Sequence, residues 1–392
     1  MKTVKLAIIL LLVLSFSFAD DFKSQEREFE QMSREFAAFK QSEDAAFEAY
    51  SKQLAAAFDD YKNEVGEFWE TPELSTQKEW VHYADDKRSR SKVDFENKKI
   101  TIEVIAKNEK EAKKEMQTQL EYVASKNTKE VIESDELQKK VAKLSAQEEK
   151  QKLIIAPEPI LQNIIFEKKP TQKELKKYTQ KSINENSITK KPSKLEDLIV
   201  YKVTVDLPSD TTLKRSRVYK ADVIQNAKRF DIPASLIFAV MQTESDFNPF
   251  AKSHIPAYGL MQIVPHSAGR DTYKLLYKRE GQPTATYLYN GKNNIVMGSS
   301  YLYILYYRYL SGITNPQSRL YCAIAAYNTG AGNIAWAYTR THSVKKALPL
   351  INAMSPDEVY NHLLKNLRYD EPKHYLKRVT QRMPLYKNAY KL

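Results

Sequence analysis

The sequence predicts a mainly α-helical protein in which a small α+β domain precedes an all-α domain. The chain has 392 residues, of which 42% are hydrophobic, so it can bury the cores of two or three domains. Alternating apolar residues, which are typical of strands, occur only within residues 92–105 and 199–205. From Arg217 onward, apolar residues recur at helical spacing. We therefore expect an α+β domain over residues 20–215 and an all-α domain over residues 216–392.

The first 19 residues have the three parts of a secretory signal peptide. A basic leader ends at Lys5, an apolar stretch follows it, and Ala19 provides the small residue before the expected cleavage site. No cysteine lies near that site, so no lipid is expected on the mature N-terminus. The sequence therefore predicts an exported, soluble protein, and a peripheral position at the outer membrane stays open.

Apolar residues follow a helical period in the segment after the signal peptide. From Phe22 to Phe68 they are separated mainly by three, four or seven positions, which predicts a long amphipathic helix or helical hairpin. Thr71 and Pro72 are expected to end it. Such a row of phenylalanines must be covered. Packing within its own domain is favoured over contact with a membrane surface or a partner helix.

Three strands and one helix are predicted in the rest of the α+β domain. Residues 92–96 and 100–105 alternate on either side of a polar turn, which predicts a β-hairpin. A helix is expected over residues 109–125 and a third strand over residues 199–205. Residues 126–197 are rich in Lys and Glu and poor in aromatic residues, which predicts an insertion of loosely packed helix and linker. No residue of this domain has the pattern of a catalytic site.

Helices are predicted throughout the all-α domain. Pro233 suits the first turn of a helix that runs from Ser235 to Glu244, and the sequence Phe-Asn-Pro at residues 247–249 is expected to end that helix. The other predicted helices cover residues 218–230, 294–310, 318–327, 356–364 and 372–380.

Positive charge is concentrated in this second domain. The net charge of the chain is +12, and residues 217–392 contain 23 basic and 10 acidic side chains. Such a balance suits an anionic polymer or surface. Nucleic acid has the right charge, but the chain has an export signal and no nucleic-acid-binding motif, so we expect none. The six His residues have no metal-ligand spacing, and Cys322 lies in an apolar helix, so no metal or other cofactor is expected.

Glu244 is the leading candidate for a catalytic residue. It stands seven, four and three positions after Ile237, Val240 and Met241, so its carboxylate shares the apolar face of its helix. Burial and the negative end of the helix dipole both raise the pKa of a carboxyl group, as a general acid at neutral pH requires. On position alone, a Glu that reaches solvent or pairs with a buried Arg is an equally good interpretation.

Two further segments contain side chains suited to sugars. The first is a Gly-Leu-Met-Gln turn at residues 259–262, whose Gln amide can both donate to and accept from hydroxyl and acetamido groups. The second is the sequence Ala-Tyr-Asn at residues 326–328, which precedes a Gly-rich turn. Each segment alone also fits an ordinary turn or helix end.

Together, the Glu-Ser pair at residue 244 and these two segments resemble the catalytic domain of the family 1 lytic transglycosylases, the SLT domain. The resemblance implies a lysozyme-like (goose-type) fold and cleavage of peptidoglycan glycan strands in the periplasm. It also implies that Glu244 is the sole acid and base, which protonates the glycosidic oxygen and then accepts the proton of the muramyl 6-hydroxyl as a 1,6-anhydro ring forms. The substrate-binding residues that it implies are Ser245, Ser253, Gly259, Leu260, Met261, Gln262, Tyr327, Asn328 and Tyr375.

One departure and two alternatives accompany this resemblance. Ile255 stands where relatives often have a polar residue, which predicts weaker hydrogen bonding to the sugar there. The first alternative is a hydrolytic, lysozyme-type muramidase, which uses a second carboxylate. Asp246 lies about 200° around the helix from Glu244, which disfavours it. The second is a non-catalytic wall-binding scaffold, which the intact Glu244 and Gln262 disfavour.

Overall fold

The computed structural model describes residues 48–49, 51–146, 157–253 and 257–392. The chain divides into two compact units, Met1–Gln53 and Leu54–Leu392, and the second contains every feature discussed below. The predicted signal peptide and the part of the predicted long helix before residue 48 lie outside the described residues, as does Ile255.

The first helix, α1, covers residues 51–66 and ends several residues before the predicted Thr71. Leu54, Tyr61 and Val65 of this helix are buried at helical spacing, while most residues between them are exposed. The prediction that the apolar row packs within the protein is therefore confirmed for the described part of the helix.

A five-stranded antiparallel sheet follows α1, with the strand order β1-β2-β3-β5-β4. The predicted hairpin is formed by β2 and β3, in which Ser89 is opposite Val104, and the third predicted strand, β5, pairs with β3. The outer strands β1 and β4 were not predicted, because β1 is buried along most of its length without alternating and β4 is exposed throughout. The strands are β1 (Glu79–Tyr83), β2 (Ser89–Asp94), β3 (Lys99–Ala106), β4 (Thr189–Pro192) and β5 (Ile199–Asp206).

Helix α2 (Glu109–Ser125) has the predicted bounds and packs on the sheet through Met116, Leu120 and Val123, which are fully buried. Four further helices lie between β3 and β4. They are α3 (Thr128–Ser134), α4 (Glu136–Ala146), α5 (Gln162–Ile165) and α6 (Gln172–Glu185).

The prediction of a loosely packed insertion at residues 126–197 is wrong for the described part of that segment. Its few apolar side chains are buried on one side of each helix, and the Lys and Glu residues that dominate its composition largely occupy the exposed faces. Capping boxes begin α3 and α6, so the backbone is well satisfied. The buried apolar residues are Val131, Ile132, Leu137, Val141, Ile160, Leu161, Ile164, Leu175 and Ile183.

The described part of residues 211–392 is helical and contains no strand. All predicted helices are present, and the helices at residues 211–218, 270–277, 285–289, 331–339 and 344–352 were not predicted. The helices are α7 (Thr211–Val218), α8 (Lys220–Phe230), α9 (Ala234–Ser245), α10 (Arg270–Tyr277), α11 (Ala285–Tyr289), α12 (Gly291–Ile304), α13 (Pro316–Thr329), α14 (Ala331–Thr339), α15 (Val344–Asn352), α16 (Pro356–Asn366) and α17 (Asp370–Tyr390). We call residues 54–206 the α+β region and residues 211–392 the helical region.

Helix α9 is at the centre of the helical region. It is apolar nearly all round, which is typical of a helix buried in a core, and it packs against α8 and α17. As predicted, it ends directly after the Glu-Ser pair, where Asp246 and Phe247 have left-handed backbone angles (φ 47° and 61°). The carboxyl end of a buried helix is thus placed where a loop can approach it.

Within the described residues, no helix is both long enough and apolar enough to cross a membrane.

Candidate active site

Glu244 lies one residue before the end of α9 and is half-buried. Its neighbour Ser245 is fully buried, and the Ser245 hydroxyl is 3.0 Å from the Met241 carbonyl oxygen and 2.8 Å from the Leu260 carbonyl oxygen. The Ser245 side chain therefore joins the end of α9 to the loop that contains the Gly-Leu-Met-Gln turn. Its hydroxyl is enclosed by protein, and a contact of Ser245 with substrate stays a prediction.

The environment of Glu244 favours a protonated carboxyl group. Burial raises the pKa of Glu244 to about 7, and the hydroxyl of Tyr375, the ammonium of Lys78 and the guanidinium of Arg378 oppose that rise, while Glu371 adds to it. The direction is the one that a carboxyl group on the apolar face of a helix is predicted to have. Near neutral pH, both the acid and its conjugate base are populated, so one group can donate a proton and later accept one.

Two tyrosines form an aromatic wall beside this carboxyl group. The ring of Tyr375 on α17 stacks on the ring of Tyr327 on α13, with centroids 6.5 Å apart and planes inclined by 5°. The Tyr327 hydroxyl donates to the Met261 carbonyl oxygen at 2.9 Å. Burial raises the pKa of both phenols well above its usual value, and the nearby Glu244 contributes to the rise, so both hydroxyls remain protonated.

The Tyr375 hydroxyl is the more available of the two. Tyr375 is 1% exposed, and its hydroxyl makes no well-formed hydrogen bond within the described part of the chain. It is nevertheless close enough to the Glu244 carboxyl group to lower the pKa of that group. This arrangement leaves the Tyr375 proton free to be donated when Glu244 becomes an anion.

The loop at residues 257–263 approaches α9 through its backbone. Gly259 has φ +75°, and a Cβ atom there would overlap the Leu288 carbonyl and the Asn294 amide. Asn294 on α12 is fully buried and binds this loop at both ends of its amide: Nδ2 donates to the Tyr258 carbonyl (2.7 Å), and Oδ1 accepts from the Met261 N–H (2.8 Å). Asn294 was not predicted from the sequence. The signal that could have identified it is a polar side chain among the apolar residues of α12.

The side chains of the predicted Gly-Leu-Met-Gln turn point into the protein. Leu260 and Met261 are at most 1% exposed, and Met261 packs against Gly298. Gln262 donates from Nε2 to the carbonyl oxygens of Ala251 (3.0 Å) and Gly259 (2.9 Å). Residues 257–263 are all buried, and direct contact of these side chains with a sugar stays a prediction.

Ser253 and Asn328 lie at the edge of this arrangement. Asn328 is exposed at the end of α13, and Ser253 is half-buried beside residues outside the described part of the loop. Neither is among the described groups that act most strongly on Glu244. Their contact with substrate also stays a prediction.

Asp246 forms an ion pair that the sequence did not predict. It is 3% exposed, and its Oδ2 atom is 2.6 Å from the ammonium of Lys78 in the α+β region. The Asp246 carboxylate is therefore occupied by the ammonium of Lys78.

Neither metal ligands nor the cysteine provides a second reactive centre in the described residues. No group of three or more His, Cys, Asp or Glu side chains there could hold a metal ion. Cys322 is fully buried, and burial raises the pKa of its thiol to about 12, which confirms that it is a small core side chain.

Comparison with known proteins identifies both regions. The model of the transglycosylase SLT domain family matches residues 222–348, which include Glu244 and Tyr327 but not Tyr375. The model of the N-terminal domain of membrane-bound lytic murein transglycosylase C matches residues 47–217. The two matches thus follow one another along the chain.

Individual relatives agree with this assignment. Membrane-bound lytic murein transglycosylase C of Serratia proteamaculans is 32% identical over 317 residues, which cover 80% of this chain and 84% of the relative. The protein of the same name from Sodalis glossinidius is 43% identical over 180 residues, or 46% of this chain and 50% of the relative. The solved structure of the lytic transglycosylase Slt from Pseudomonas aeruginosa is similar over 46% of this chain and 28% of that chain, with 21% identity and a TM-score of 0.35. The match to the Serratia proteamaculans protein over most of both chains shows that this chain belongs to the family of membrane-bound lytic murein transglycosylase C, which confirms the resemblance drawn from its sequence motifs.

Proposed function

We propose that this protein is a lytic transglycosylase that cleaves the β-1,4 bond between N-acetylmuramic acid and N-acetylglucosamine in peptidoglycan, with Glu244 as its only acid and base. The observation that carries the proposal is the half-buried Glu244 carboxyl group, whose pKa is raised to about 7 at the end of α9. A carboxyl group with this pKa can serve as both acid and base near neutral pH.

In the first step, protonated Glu244 donates its proton to the glycosidic oxygen, and the bond from that oxygen to C1 of the muramyl residue breaks. The Glu244 anion formed in this step accepts a hydrogen bond from the Tyr375 hydroxyl, which lies beside it. In the second step, the 6-hydroxyl of the same muramyl residue bonds to C1, and its proton passes to Glu244. The product carries a 1,6-anhydro ring, and the enzyme regains its acid without consuming water.

The carboxylates near Glu244 support a reaction with one acid. Asp246 is neutralised by Lys78, and Glu371 forms a 3.0 Å ion pair with Arg378. A hydrolytic enzyme of the two-carboxylate type needs a second carboxylate that is free to activate water or attack the sugar. Glu371 is the candidate for that alternative, because its charge reaches Glu244 and its side chain is exposed.

The experiment is mass spectrometry of the muropeptides that the protein releases from purified sacculi, beside the Glu244→Gln variant. That substitution keeps the shape of the side chain and removes its transferable proton. We expect products with 1,6-anhydro ends, one water lighter than hydrolysed ends, and no products from the variant. Hydrated reducing ends that disappear in Glu371→Gln would establish hydrolysis with two carboxylates. Binding of sacculi without any release would establish a wall-binding scaffold.

The location of the substrate and the charge of the protein agree with this function. Peptidoglycan lies outside the cytoplasm, where the predicted signal peptide would direct the chain. The net positive charge of residues 217–392 suits the acidic peptides that the glycan strands carry. We therefore propose that the protein acts in the periplasm and that the residues 216–392 predicted as a catalytic domain bind the strand.

A further inference from the structure

A short segment of the α+β region, residues 76–78 directly before β1, contacts the candidate active site. Its backbone follows the loop that leaves α9. The Thr76 carbonyl accepts from the Lys252 N–H at 3.4 Å, and the Gln77 carbonyl accepts from the Asn248 side-chain amide at 3.3 Å. Both partners belong to the helical region and lie within eight residues of Glu244. The segment is therefore in contact with the chain that carries the acid.

Lys78 binds the end of α9 with all three of its ammonium protons. Nζ donates to the carbonyl oxygens of Gln242 and Thr243, each at 2.8 Å, and to Oδ2 of Asp246 at 2.6 Å. The last carbonyls of a helix carry its partial negative charge, so a cation at this point is favoured. The Gln242 carbonyl also accepts from the Asp246 N–H at 3.0 Å. Glu244 and Ser245 lie between these acceptors in the sequence.

Gln77 extends the same contact to the substrate loop. Its Nε2 atom donates to Oε1 of Gln262 at 3.2 Å, while Gln262 donates to the Ala251 and Gly259 carbonyls. The side-chain amide of Gln262 is therefore satisfied at both ends, and one of its partners comes from the α+β region. Neighbouring residues of one segment thus bind the two elements that flank Glu244.

We propose that residues 76–78 hold the active site in its working geometry, with Lys78 as a positioning residue for Glu244. This inference rests on the proposed function, in that Glu244 is taken to be the acid. It assigns to the α+β region a part in catalysis: without Lys78, the last turn of α9 loses the cation that joins its carbonyls to Asp246, and the Glu244 carboxyl group is free to move.

The charge of Lys78 also lowers the pKa of Glu244, so the proposed role predicts the direction in which that pKa changes when Lys78 is replaced. A cation favours the carboxylate anion, so removal of Lys78 raises the pKa of Glu244 further above its usual value. Burial lowers the pKa of Lys78 itself, and Asp246 opposes that change. The charged and titratable groups that face this end of α9 are Lys78 from the α+β region, Asp246 on the helix end, Tyr327 from α13, and Glu371, Tyr375, Arg378 and Arg382 from α17.

The experiment compares the full-length wild type with Lys78→Met, Lys78→Arg and the matched control Lys92→Met on solubilised glycan strands. Lys92 also forms ion pairs, with Glu73 at 2.9 Å and Glu79 at 3.5 Å, and both of these partners belong to the α+β region. For Lys78→Met we expect kcat to fall by at least about tenfold and the alkaline limb of the pH–rate profile to move to higher pH. Lys78→Arg keeps the charge and should restore the pH profile, and Lys92→Met should match the wild type.

A second readout separates this inference from the proposed function. The ¹³C resonance of the Glu244 carboxyl group, assigned by its absence in Glu244→Gln, reports the pKa of that group whether or not it is the acid. A higher pKa in Lys78→Met supports the role of Lys78 even if Glu244→Gln remains active and the proposed function fails. If Lys78→Met is too unstable to measure, Lys78→Met with Asp246→Asn removes the unpaired charge and takes its place. A wild-type pKa and rate in either variant would overturn the inference.

Discussion

The helical region and the α+β region contribute to one site in different ways. The helical region supplies the groups that can take part in chemistry, namely Glu244 and the paired phenols of Tyr327 and Tyr375. The α+β region supplies a cation and an amide that bind backbone and loop around them, through Lys78 and Gln77. The groups that can react and the residues that hold them can thus come from separate parts of a chain, so a family motif locates only the groups that can react.

The largest effect is expected from the acid itself. Glu244→Gln should lower the initial rate of muropeptide release on the order of 10³-fold, because the variant loses both proton donation and proton acceptance. The rate is measured by chromatography of soluble products, and a thermal melt serves as the control for folding. Activity within tenfold of the wild type would show that Glu244 is not the catalytic acid.

The next largest effect tests the contact between Lys78 and the end of α9. Lys78→Met should reduce the free energy of unfolding by about 3 kcal/mol, since it leaves the carboxylate of Asp246, which is 3% exposed, without its partner. Urea unfolding at pH 7 measures this change. The control Lys92→Met breaks a more exposed ion pair and should cost less than about 1 kcal/mol. Equal losses in the two variants would mean that residues 76–78 are an ordinary part of the surface.

The sequence predicts the residues of this site that have local signals and misses those whose partners are distant in the chain. Glu244 and the end of α9 were predictable, because helical spacing and the Phe-Asn-Pro sequence are local signals. Lys78 was not, because its acceptors are more than 160 residues away and nothing local distinguishes it from any other lysine. Asn294 was missed for a similar reason, since its role depends on a loop more than 30 residues earlier in the chain.

The same reasoning explains the error in the α+β region. Residues 126–197 were predicted to pack loosely because Lys and Glu dominate their composition. A short helix needs only two or three apolar residues on one face to be buried, as Val131 and Ile132 of α3 show. Composition averages over both faces of a helix and conceals this, whereas the spacing of the apolar residues does not. The strands β1 and β4 were not predicted because the apolar residues of neither strand alternate with a period of two.

A smaller effect follows from the pH dependence of stability. The pKa of Glu244 is raised from 4.5 to about 7, so the folded state binds a proton that the unfolded state has released between these values. The wild type therefore loses stability as the pH rises through this window, and Glu244→Gln does not. At pH 8 the variant should be more stable than the wild type by about 2 kcal/mol, the partial exposure of Glu244 reducing the full linkage value. Urea unfolding at pH 4 and pH 8 checks this, with near-equal stabilities expected at pH 4. A constant difference at both values would show that the Glu244 pKa is ordinary.

The smallest effect distinguishes the two tyrosines of the wall. Tyr375→Phe removes a hydroxyl that makes no well-formed hydrogen bond in the described part of the chain, so its cost in stability should stay below about 1 kcal/mol. Its hydroxyl lowers the pKa of Glu244, so the alkaline limb of the pH–rate profile should move to higher pH and the rate at neutral pH should fall by about tenfold.

Tyr327→Phe is the matched control for that prediction. It removes the 2.9 Å hydrogen bond to the Met261 carbonyl and should therefore affect the loop at residues 257–263 more than Glu244. We expect the free energy of unfolding to fall by about 1 kcal/mol and the alkaline limb of the pH–rate profile to shift little. The opposite pattern, in which Tyr327→Phe moves the alkaline limb and Tyr375→Phe does not, would show that Tyr327 of α13, and not Tyr375 of α17, stabilises the Glu244 anion. In either case the position of the limb, rather than the rate alone, identifies the hydroxyl that faces the acid, because a loop that has merely shifted changes the rate at every pH alike.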